Sequence, residues 1–354
     1  MWAMQLPLPL PLAPMLAKAV ASLPEPDAIE GGWSYEPKWD GFRCLVARDG
    51  DEVELFSRGK KPLTRYFPEL VAIALEQLPA QCIVDGEIVV RAGEPGAQHL
   101  AWEALSQRIH PAQSRIDKLS SETPAELVFF DLLVIDGRDV TGQGYLERRA
   151  LLEQMVAGLD HRSLHLSRTT RDAAEARDWF ERFEGAGLDG VVCKANTGAY
   201  QQDKRAMLKV KHKRTAEAVV TGYRVHTSGS GVGSLLLGMY HDGQLVPVGG
   251  IGAFTQAMRA CLVDELAPLV VRDDDGEVVH QERSRSRFSG GKDTSVIALE
   301  PSLVVEVAFD QLEGLRFRHA AQFLRWRPDR EPASCLLDQV DRPIAYDLDE
   351  VLQG

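Results

Sequence analysis

Cysteine is scarce and widely spaced in this sequence of 354 residues. The five cysteines, Cys44, Cys82, Cys193, Cys261 and Cys335, include no C-x-x-C pair. An odd, dispersed set of this kind argues against a disulfide framework and against a structural zinc site built from thiolates. Long apolar runs are also absent, since no stretch approaches the ~18 to 20 residues needed to span a bilayer. We therefore expect no membrane association.

The apolar N-terminal segment lacks the features of a secretory signal. Prolines at positions 7, 9, 11 and 14 interrupt it, and no basic residue precedes Lys18. A signal peptide requires a basic region followed by a continuous apolar core. A cytoplasmic location is therefore expected.

Positive charge is in deficit, because 40 Lys and Arg face 52 Asp and Glu and leave a net charge of −12. That balance argues against a polyphosphate partner, whose binding depends largely on neutralised phosphates. The charge is uneven, however. Residues 204–214 contain six basic and no acidic side chains, and residues 316–330 contain five basic and one acidic. Because local potential decides phosphate binding, each window is either a phosphate site or an ordinary solvated face.

The length predicts two domains. Residues 1–214 alternate strand-like and helix-like segments, including a hairpin over 42–56 that turns at Gly50 and a helix over 62–78 that begins at Pro62. Residues 215–330 contain about five short strand-like segments and one helix over 255–270, which predicts a small β-barrel of the OB type. Residues 331–354 form an acidic tail to which the sequence assigns no role.

Short charged motifs follow one another along both predicted domains. They are Glu36-Pro37-Lys38-Trp39-Asp40-Gly41-Phe42-Arg43, Ser57-Arg58-Gly59, Asp85-Gly86-Glu87, Phe130-Asp131, Asp189-Gly190-Val191-Val192-Cys193-Lys194, Leu208-Lys209-Val210-Lys211 and Arg325-Trp326-Arg327-Pro328-Asp329-Arg330. Each alone has an ordinary reading: Lys38 in a turn, Phe130 in a core strand, Lys194 at an exposed strand end. Their order along the chain is the specific signal.

From Tyr35 to Arg330 this series resembles the covalent nucleotidyltransferases, which comprise ATP-dependent DNA ligases, RNA ligases and mRNA-capping guanylyltransferases. It is most similar to the short bacterial ATP-dependent DNA ligases of the LigC type. The resemblance implies an α+β fold, in which a nucleotidyltransferase (adenylation) domain of antiparallel sheets with flanking helices (1–214) precedes an OB-fold β-barrel (215–330). It implies an enzyme of DNA repair that seals nicks in duplex DNA through a covalent lysine-AMP intermediate.

The resemblance also assigns roles to individual residues. Lys38 would attack the α-phosphorus of ATP, Glu36 would bind the adenine amino group, Phe130 would stack on the base, Glu87 would hold the ribose, and Arg58 would bind the 5′-phosphate of the nick. The implied catalytic residues are Lys38, Asp40, Lys209 and Lys211. The implied cofactor-binding residues are Glu36, Arg43, Arg58, Glu87, Phe130, Lys194, Arg327, Asp329 and Arg330. Mg²⁺ or Mn²⁺ would be held by Glu87 and Asp189, the latter a position that is glutamate in most relatives.

The residue types suit this chemistry. A free lysine has a reference pKa of about 10.4 and is protonated at pH 7, so it becomes a nucleophile only where nearby positive charge favours the neutral amine. Lys209, Lys211 and Arg43 would supply such charge and also neutralise the phosphates. Nucleotidyl transfer depends mainly on positioning and charge stabilisation, which Lys, Arg and a metal ion provide.

Two other readings stay open at this point. One is an RNA ligase or another covalent nucleotidyltransferase, such as a guanylyltransferase. The other is a non-catalytic nucleic-acid-binding module on an inactive scaffold. The expected partner is nicked double-stranded DNA, bound by a monomer at the bacterial nucleoid.

Overall fold

A computed structural model describes residues 4–212, 214–281, 296–340 and 344–352. Within these residues the chain forms two compact units, one made of 4–211 together with 344–352 and the other of 212–340. The acidic segment after residue 330 is thus divided between the units, whereas the sequence treats it as a separate tail.

The first unit is built on two sheets. Its strands are β1 (Ala17–Ala19), β2 (Trp33–Pro37), β3 (Phe42–Asp49), β4 (Glu52–Ser57), β5 (Gln81–Val89), β6 (Arg91–Ala92), β7 (His99–Leu100), β8 (Glu126–Ile135), β9 (Arg138–Asp139), β10 (Leu164–Leu166), β11 (Val191–Ala195) and β12 (Met207–Val210). Its helices before the second unit are α1 (Pro68–Gln77), α2 (Trp102–Gln107), α3 (Gln113–Glu122), α4 (Tyr145–Ala157) and α5 (Ala173–Arg182).

The larger sheet has the order β10-β8-β5-β3-β4, with β9 paired to β8, and the smaller one has the order β1-β12-β11-β2. Pairing is antiparallel except at β1–β12 and β8–β10. The hairpin of β3 and β4 places Asp49 opposite Glu52, so the predicted turn at Gly50 is confirmed. The predicted antiparallel sheets with flanking helices are also confirmed.

The helix predicted from Pro62 begins instead at Pro68. The intervening residues are tied to β4, because the Leu63 amide donates to the Leu55 carbonyl at 2.7 Å and Thr64 Oγ1 accepts from the Leu55 amide at 3.0 Å. These bonds hold the segment in an extended and then 3₁₀ conformation, so the helix starts only at the second proline, which occupies the first turn without losing a needed N–H.

Apolar side chains fill both faces of the larger sheet. One face packs against α1 and neighbouring helices, with Phe67 and Leu70 fully buried. The other face meets the smaller sheet, where Leu45, Ile83 and Met207 share a buried cluster. Strands of both sheets therefore bring their ends to one common region.

The second unit is a small barrel. Its elements are β13 (Arg214–Val225), β14 (Val232–His241), β15 (Gln244–Ile251), α6 (Gln256–Leu266), β16 (His280–Gln281), β17 (Val296–Ala298), β18 (Val304–Phe309), β19 (Leu312–Glu313), β20 (Arg316–Phe317) and β21 (Gln322–Trp326). β13 pairs with both β14 and β18, β14 pairs with β15, and β18 pairs with β21. A parallel bridge between Ile251 and Ala321 joins the end of β15 to the start of β21 and closes the ring, in agreement with the predicted OB-type barrel.

The last described residues return to the first unit. Cys335, Leu337 and Val340 are buried in the second unit, whereas α7 (Leu348–Leu352) packs on the first.

In the part of the chain that the structure describes, no helix combines the length and the apolar character that crossing a bilayer requires.

Candidate active site

A cavity of about 840 Å³ lies in the first unit, where both sheets contribute to its walls. Its volume is in the range of small-molecule binding pockets, roughly 300 to 1,000 Å³. Ten of the residues implied by the sequence motifs line it: Glu36, Lys38, Asp40, Arg43, Arg58, Glu87, Phe130, Lys194, Lys209 and Lys211. The fold thus gathers into one cavity residues that are spread from position 36 to position 211 of the sequence.

Lys38 follows β2 and is fixed to the two residues that precede β11. Its backbone N–H donates to the Gly190 carbonyl at 2.8 Å, and its own carbonyl accepts from the Asp189 amide at 3.0 Å. Its ammonium lies 2.8 Å from Asp189 Oδ2, and the ammonium of Lys211 lies 2.5 Å from the same oxygen. Burial alone would raise the pKa of Asp189, but the two ammonium groups outweigh it and lower that pKa. Asp189 is therefore an anion held between two cations.

Two glycines near Lys38 permit neighbouring backbone segments to approach closely. A Cβ at Gly41 would lie 2.1 Å from the carbonyl oxygen of Ile88. A Cβ at Gly190 would lie 2.0 Å from the carbonyl oxygen of Val210, and the φ of +125° at this residue is one that side-chain-bearing residues rarely adopt. The glycines that follow Asp40 and Asp189 are thus required by backbone contact.

Positive charge is concentrated on one side of the cavity. The pKa of Lys209 is lowered by burial and by the nearby charges of Lys38, Lys211 and Arg58. Mutual repulsion of this kind is relieved by a bound anion. A phosphate group is therefore the ligand that these side chains favour.

Arg43 is neutralised within the fold. Its guanidinium makes two hydrogen bonds to Asp85, at 2.7 and 2.6 Å, and lies 4.9 Å from the centre of the Phe130 ring. Asp85 also accepts a hydrogen bond from the Tyr200 hydroxyl at 2.5 Å. Arg43 therefore supports the wall of the cavity, and its positive charge is compensated by Asp85.

The carboxyl group of Glu87 is a weaker acid than an ordinary glutamate. Burial raises its pKa to about 7, although Arg43 and Lys38 lower it in part. Its Oε1 accepts a hydrogen bond from the Gly41 amide at 3.1 Å. This carboxyl group can accordingly exist in either protonation state near neutral pH.

Another part of the cavity wall contains a buried acidic side chain with fixed donors. Glu36 is 2% exposed, and its Oε1 accepts a hydrogen bond from the Tyr145 hydroxyl and lies 3.0 Å from Lys194 Nζ. Lys194 also donates to the Phe130 carbonyl at 2.6 Å and is 3% exposed, so its alternative reading as an exposed strand-end residue is wrong. Phe130 combines both readings, because it belongs to a buried cluster and also lines the cavity.

The motifs do not indicate Tyr145 and Arg148. Arg148 is fully buried and makes hydrogen bonds of 2.8 and 3.1 Å to Asp131. Both residues lie on the apolar face of α4, where Leu152 and Met155 are also buried. An arginine on the apolar stripe of a helix is the signal that would have identified this buried ion pair.

Arg327, Asp329 and Arg330 lie in the second unit, directly after β21. Arg327 donates to Asp329 at 2.7 Å and also pairs with Glu217. Arg330 is exposed. Arg327 and Arg330 belong to the second basic window, residues 316–330, in the second unit. Lys209 and Lys211 belong to the first basic window, residues 204–214, and lie in the first unit.

Family models and relatives agree with one another. Residues 14–211 match the model described as ATP dependent DNA ligase domain, and residues 228–330 match the ATP dependent DNA ligase C terminal region. The chain is 51% identical to DNA ligase C of Mycobacterium tuberculosis (strain ATCC 25618 / H37Rv) over 99% of each chain. It is 50% identical to DNA ligase C2 of Mycolicibacterium smegmatis (strain ATCC 700084 / mc(2)155) over 96% of this chain and 97% of the relative.

A solved structure of a Lig E DNA ligase superposes with a TM-score of 0.56 and 16% identity, covering 88% of this chain and 99% of that one. A likeness at this identity shows the fold alone, and it agrees with a nucleotidyltransferase domain followed by a barrel. Together with the ordered motifs and the cavity that unites them, the family models and the relatives show that this chain belongs to the ATP-dependent DNA ligases.

Proposed function

We propose that this ligase seals nicks in duplex DNA by three transfers that begin at Lys38. Its neutral amine attacks the α-phosphorus of ATP, the bond to the β-phosphate oxygen breaks, and pyrophosphate leaves. The AMP then passes from Lys38 to the 5′-phosphate of the nick. Finally the 3′-hydroxyl attacks that phosphate, the phosphodiester forms, and AMP is released. The observation that carries the proposal is the position of Lys38 beside Asp189 and clustered cations in a cavity of nucleotide size.

The base end of the cavity suits adenine. Glu36 offers a carboxylate oxygen, and a carboxylate accepts hydrogen bonds but cannot donate them. The amino group at the edge of adenine is a donor, whereas guanine has a carbonyl oxygen at that position. We assign adenine recognition to Glu36, stacking on the base to Phe130, and the ribose hydroxyl to Glu87.

The cationic side suits the phosphates. Lys209, Lys211 and Arg58 repel one another less when an anion lies between them. We assign Lys209 and Lys211 to the triphosphate and Arg58 to the 5′-phosphate of the nick. We assign Asp189 to positioning Lys38, since the two groups are 2.8 Å apart, and the proton that the amine loses passes to solvent. Asp40 lines the cavity beside them and is assigned a catalytic role.

The site offers two carboxylates, those of Glu87 and Asp189, to a divalent metal ion. Among residues 4–212, 214–281, 296–340 and 344–352, no group of three or more His, Cys, Asp or Glu side chains is arranged to hold one. Mg²⁺ commonly binds through one or two carboxylates with substrate phosphates and water as the other ligands. Glu87 and Asp189 would supply the carboxylates, and the ion, Mg²⁺ or Mn²⁺, would neutralise charge on the phosphates.

The second unit is assigned two tasks. Arg327, Asp329 and Arg330 would orient the pyrophosphate leaving group, as the family motif implies, and the barrel would bind duplex DNA. We place the enzyme in the cytoplasm at the nucleoid, acting as a monomer in DNA repair.

The deciding experiment is the intact mass of the purified protein after incubation with ATP or GTP. The wild type should gain the mass of one AMP from ATP and nothing from GTP, and Lys38→Ala should gain neither. Lys118→Ala, at an exposed lysine of α3, is the matched control and should behave as wild type. Labelling by GTP would indicate a guanylyltransferase, and labelling that persists in Lys38→Ala would exclude this site.

Substrate type is tested separately with nicked duplexes. The adenylylated enzyme should seal nicked DNA, and a marked preference for nicked RNA would identify an RNA ligase instead. If neither substrate is sealed by a protein that still accepts AMP, adenylylation stands and the assignment of the later steps is overturned.

A further inference from the structure

The segment 344–352, which the motifs leave without a role, is part of the first unit. Leu348 and Val351 of α7 are buried, with 1% and 0% of their surfaces exposed. α7 packs against the 3₁₀ turn Phe183–Ala186, and the ring of Tyr346 lies 5.4 Å from that of Phe183. After the second unit, the chain therefore returns to complete the core of the first.

That core reaches the cavity. Leu348 and Val351 belong to one buried cluster with Trp39 and Phe130. Trp39 is next to Lys38 in the chain, and both Trp39 and Phe130 line the cavity. Trp39 is also fixed by its indole N–H, which donates to Ser167 Oγ at 2.8 Å. The C-terminal helix thus lies in the apolar layer behind the lysine loop and the aromatic wall.

Polar contacts hold the segment in place. The Leu348 amide donates to the Gln98 carbonyl at 2.9 Å, and Asp349 pairs with Arg91 at 2.5 Å. Arg168 donates to the Glu350 carbonyl at 2.5 Å. A short helix has little intrinsic stability, so these contacts and the buried apolar face define where the segment lies.

Gly185 is the narrowest point of this contact. A Cβ at this position would lie 1.8 Å from the carbonyl oxygen of Ile344 and 2.8 Å from the amide nitrogen of Tyr346. Both obstacles are backbone atoms, which cannot rotate away. An alanine here would therefore force residues 344–346 to move while touching none of the residues that line the cavity.

We propose that the segment 344–352 is a positioning element for adenylylation, which fixes Phe130 and the Trp39 side of the Lys38 loop from behind. The inference rests on the proposed function, because Phe130 is taken to stack on the base. Positioning matters in this reaction, since displacements of about 1 Å can lower rates by roughly a hundredfold. The expected signature is weaker use of ATP by a protein that remains folded.

Gly185→Ala in the full chain is the primary test. Adenylylation measured by intact mass over a range of ATP concentrations should show a KM for ATP raised by about tenfold. At saturating ATP all molecules should still accept AMP. Gly158→Ala is the matched control, because its Cβ would meet only the Met155 carbonyl at 3.5 Å, and its KM should equal that of the wild type.

Leu348→Ala and Leu348→Met provide a second pair if Gly185→Ala does not fold. The alanine variant should raise the KM for ATP, and the methionine variant, which preserves volume, should restore it. A lower Tm or a smaller active fraction with unchanged KM would mean a merely structural role and would overturn the inference. A wild type that accepts no AMP would instead refute the proposed function itself.

Discussion

At the scale of single residues, the walls of the cavity contain buried charges that are held in opposed pairs. Asp131 lies between Arg148 and Lys194, and burial alone would raise its pKa, yet these two cations outweigh burial and lower it. Lys194 in turn contacts Glu36. Removing one member of such a pair leaves an uncompensated charge in a medium of low polarity, which costs more than the pair contributes.

Asp131→Asn should destabilise the first unit by about 3 to 5 kcal/mol, because it strands the Arg148 guanidinium. Urea unfolding near pH 7 measures this difference, with Asp51→Asn in the exposed hairpin turn as the control. A depressed carboxyl pKa contributes stability above the unfolded value and loses it as the pH falls through the folded value. The gap between wild type and variant should therefore shrink on acidification, and a gap that stays constant with pH would contradict this account.

Tyr145→Phe tests the donors that hold Glu36. The variant removes the hydroxyl that donates to this carboxylate. A hydrogen bond to a charged group contributes about 1.5 to 3 kcal/mol, so we expect the KM for ATP to rise about tenfold or more and the discrimination against GTP to fall. Tyr35→Phe, which loses a hydrogen bond to the Pro24 carbonyl, is the control. Equal effects of the two variants on nucleotide choice would argue against positioning by Tyr145.

At the scale of elements, the site depends on how closely neighbouring strands approach. The Lys38 loop connects β2 of the smaller sheet with β3 of the larger one. Its position therefore depends on how the two sheets pack against each other. Gly41 contacts β5 and Gly190 contacts the end of β12 through their backbones. The glycines therefore set the distance between the lysine and the carboxylates.

Gly41→Ala should separate the Lys38 loop from β5, because its Cβ would lie 2.1 Å from the Ile88 carbonyl oxygen and 3.0 Å from Cγ of Glu87. We expect the rate of adenylylation to fall by roughly a hundredfold or more. The Tm should also fall, but the protein should remain folded at the assay temperature. Gly142→Ala is the control, since nothing lies within 4 Å of its Cβ. Rates measured by rapid quench at saturating ATP decide the matter, and near-wild-type turnover by Gly41→Ala would show that the loop tolerates the shift.

At the scale of the whole molecule, the net charge of −12 conceals where positive charge is used. Lys209 and Lys211 lie in one basic window and line the cavity. Arg327 and Arg330 lie in the other, in the barrel unit. The last 24 residues hold six acidic groups and one basic group, so much of the excess negative charge lies beyond the motifs.

Binding of nicked duplex DNA should weaken strongly with salt despite the negative total. Because bound cations release counterions from DNA, we expect the affinity to fall at least about tenfold between roughly 50 and 200 mM salt. Fluorescence anisotropy with a duplex whose nick lacks the 3′-hydroxyl measures this without turnover. Arg58→Ala, at the residue assigned to the 5′-phosphate of the nick, should reduce the slope by about one, and Lys118→Ala should not. An affinity independent of salt would rule out phosphate contacts as its source.

The order of motifs in the sequence names residues that line one cavity in the structure, and their roles stay predictions. Lys38, Glu87 and Lys209 are polar residues in a fixed order of motifs, and the cavity brings them together because the intervening strands pair as their apolar patterns indicate. The hairpin at Gly50 and the barrel strands followed from alternation and turn residues. Local patterns of this kind depend only on neighbouring residues, so they can be read directly.

Other features depend on contacts between distant segments. The start of α1 at Pro68, the hydrogen bond from Tyr145 to Glu36, and the return of α7 to the first unit join residues whose separation in sequence gives no local signal. Residue types and their order therefore determined the chemistry and the class of fold. Only tertiary packing decided which partners hold each charge and what lies behind the lysine loop, because burial and hydrogen bonding depend on the chain as a whole.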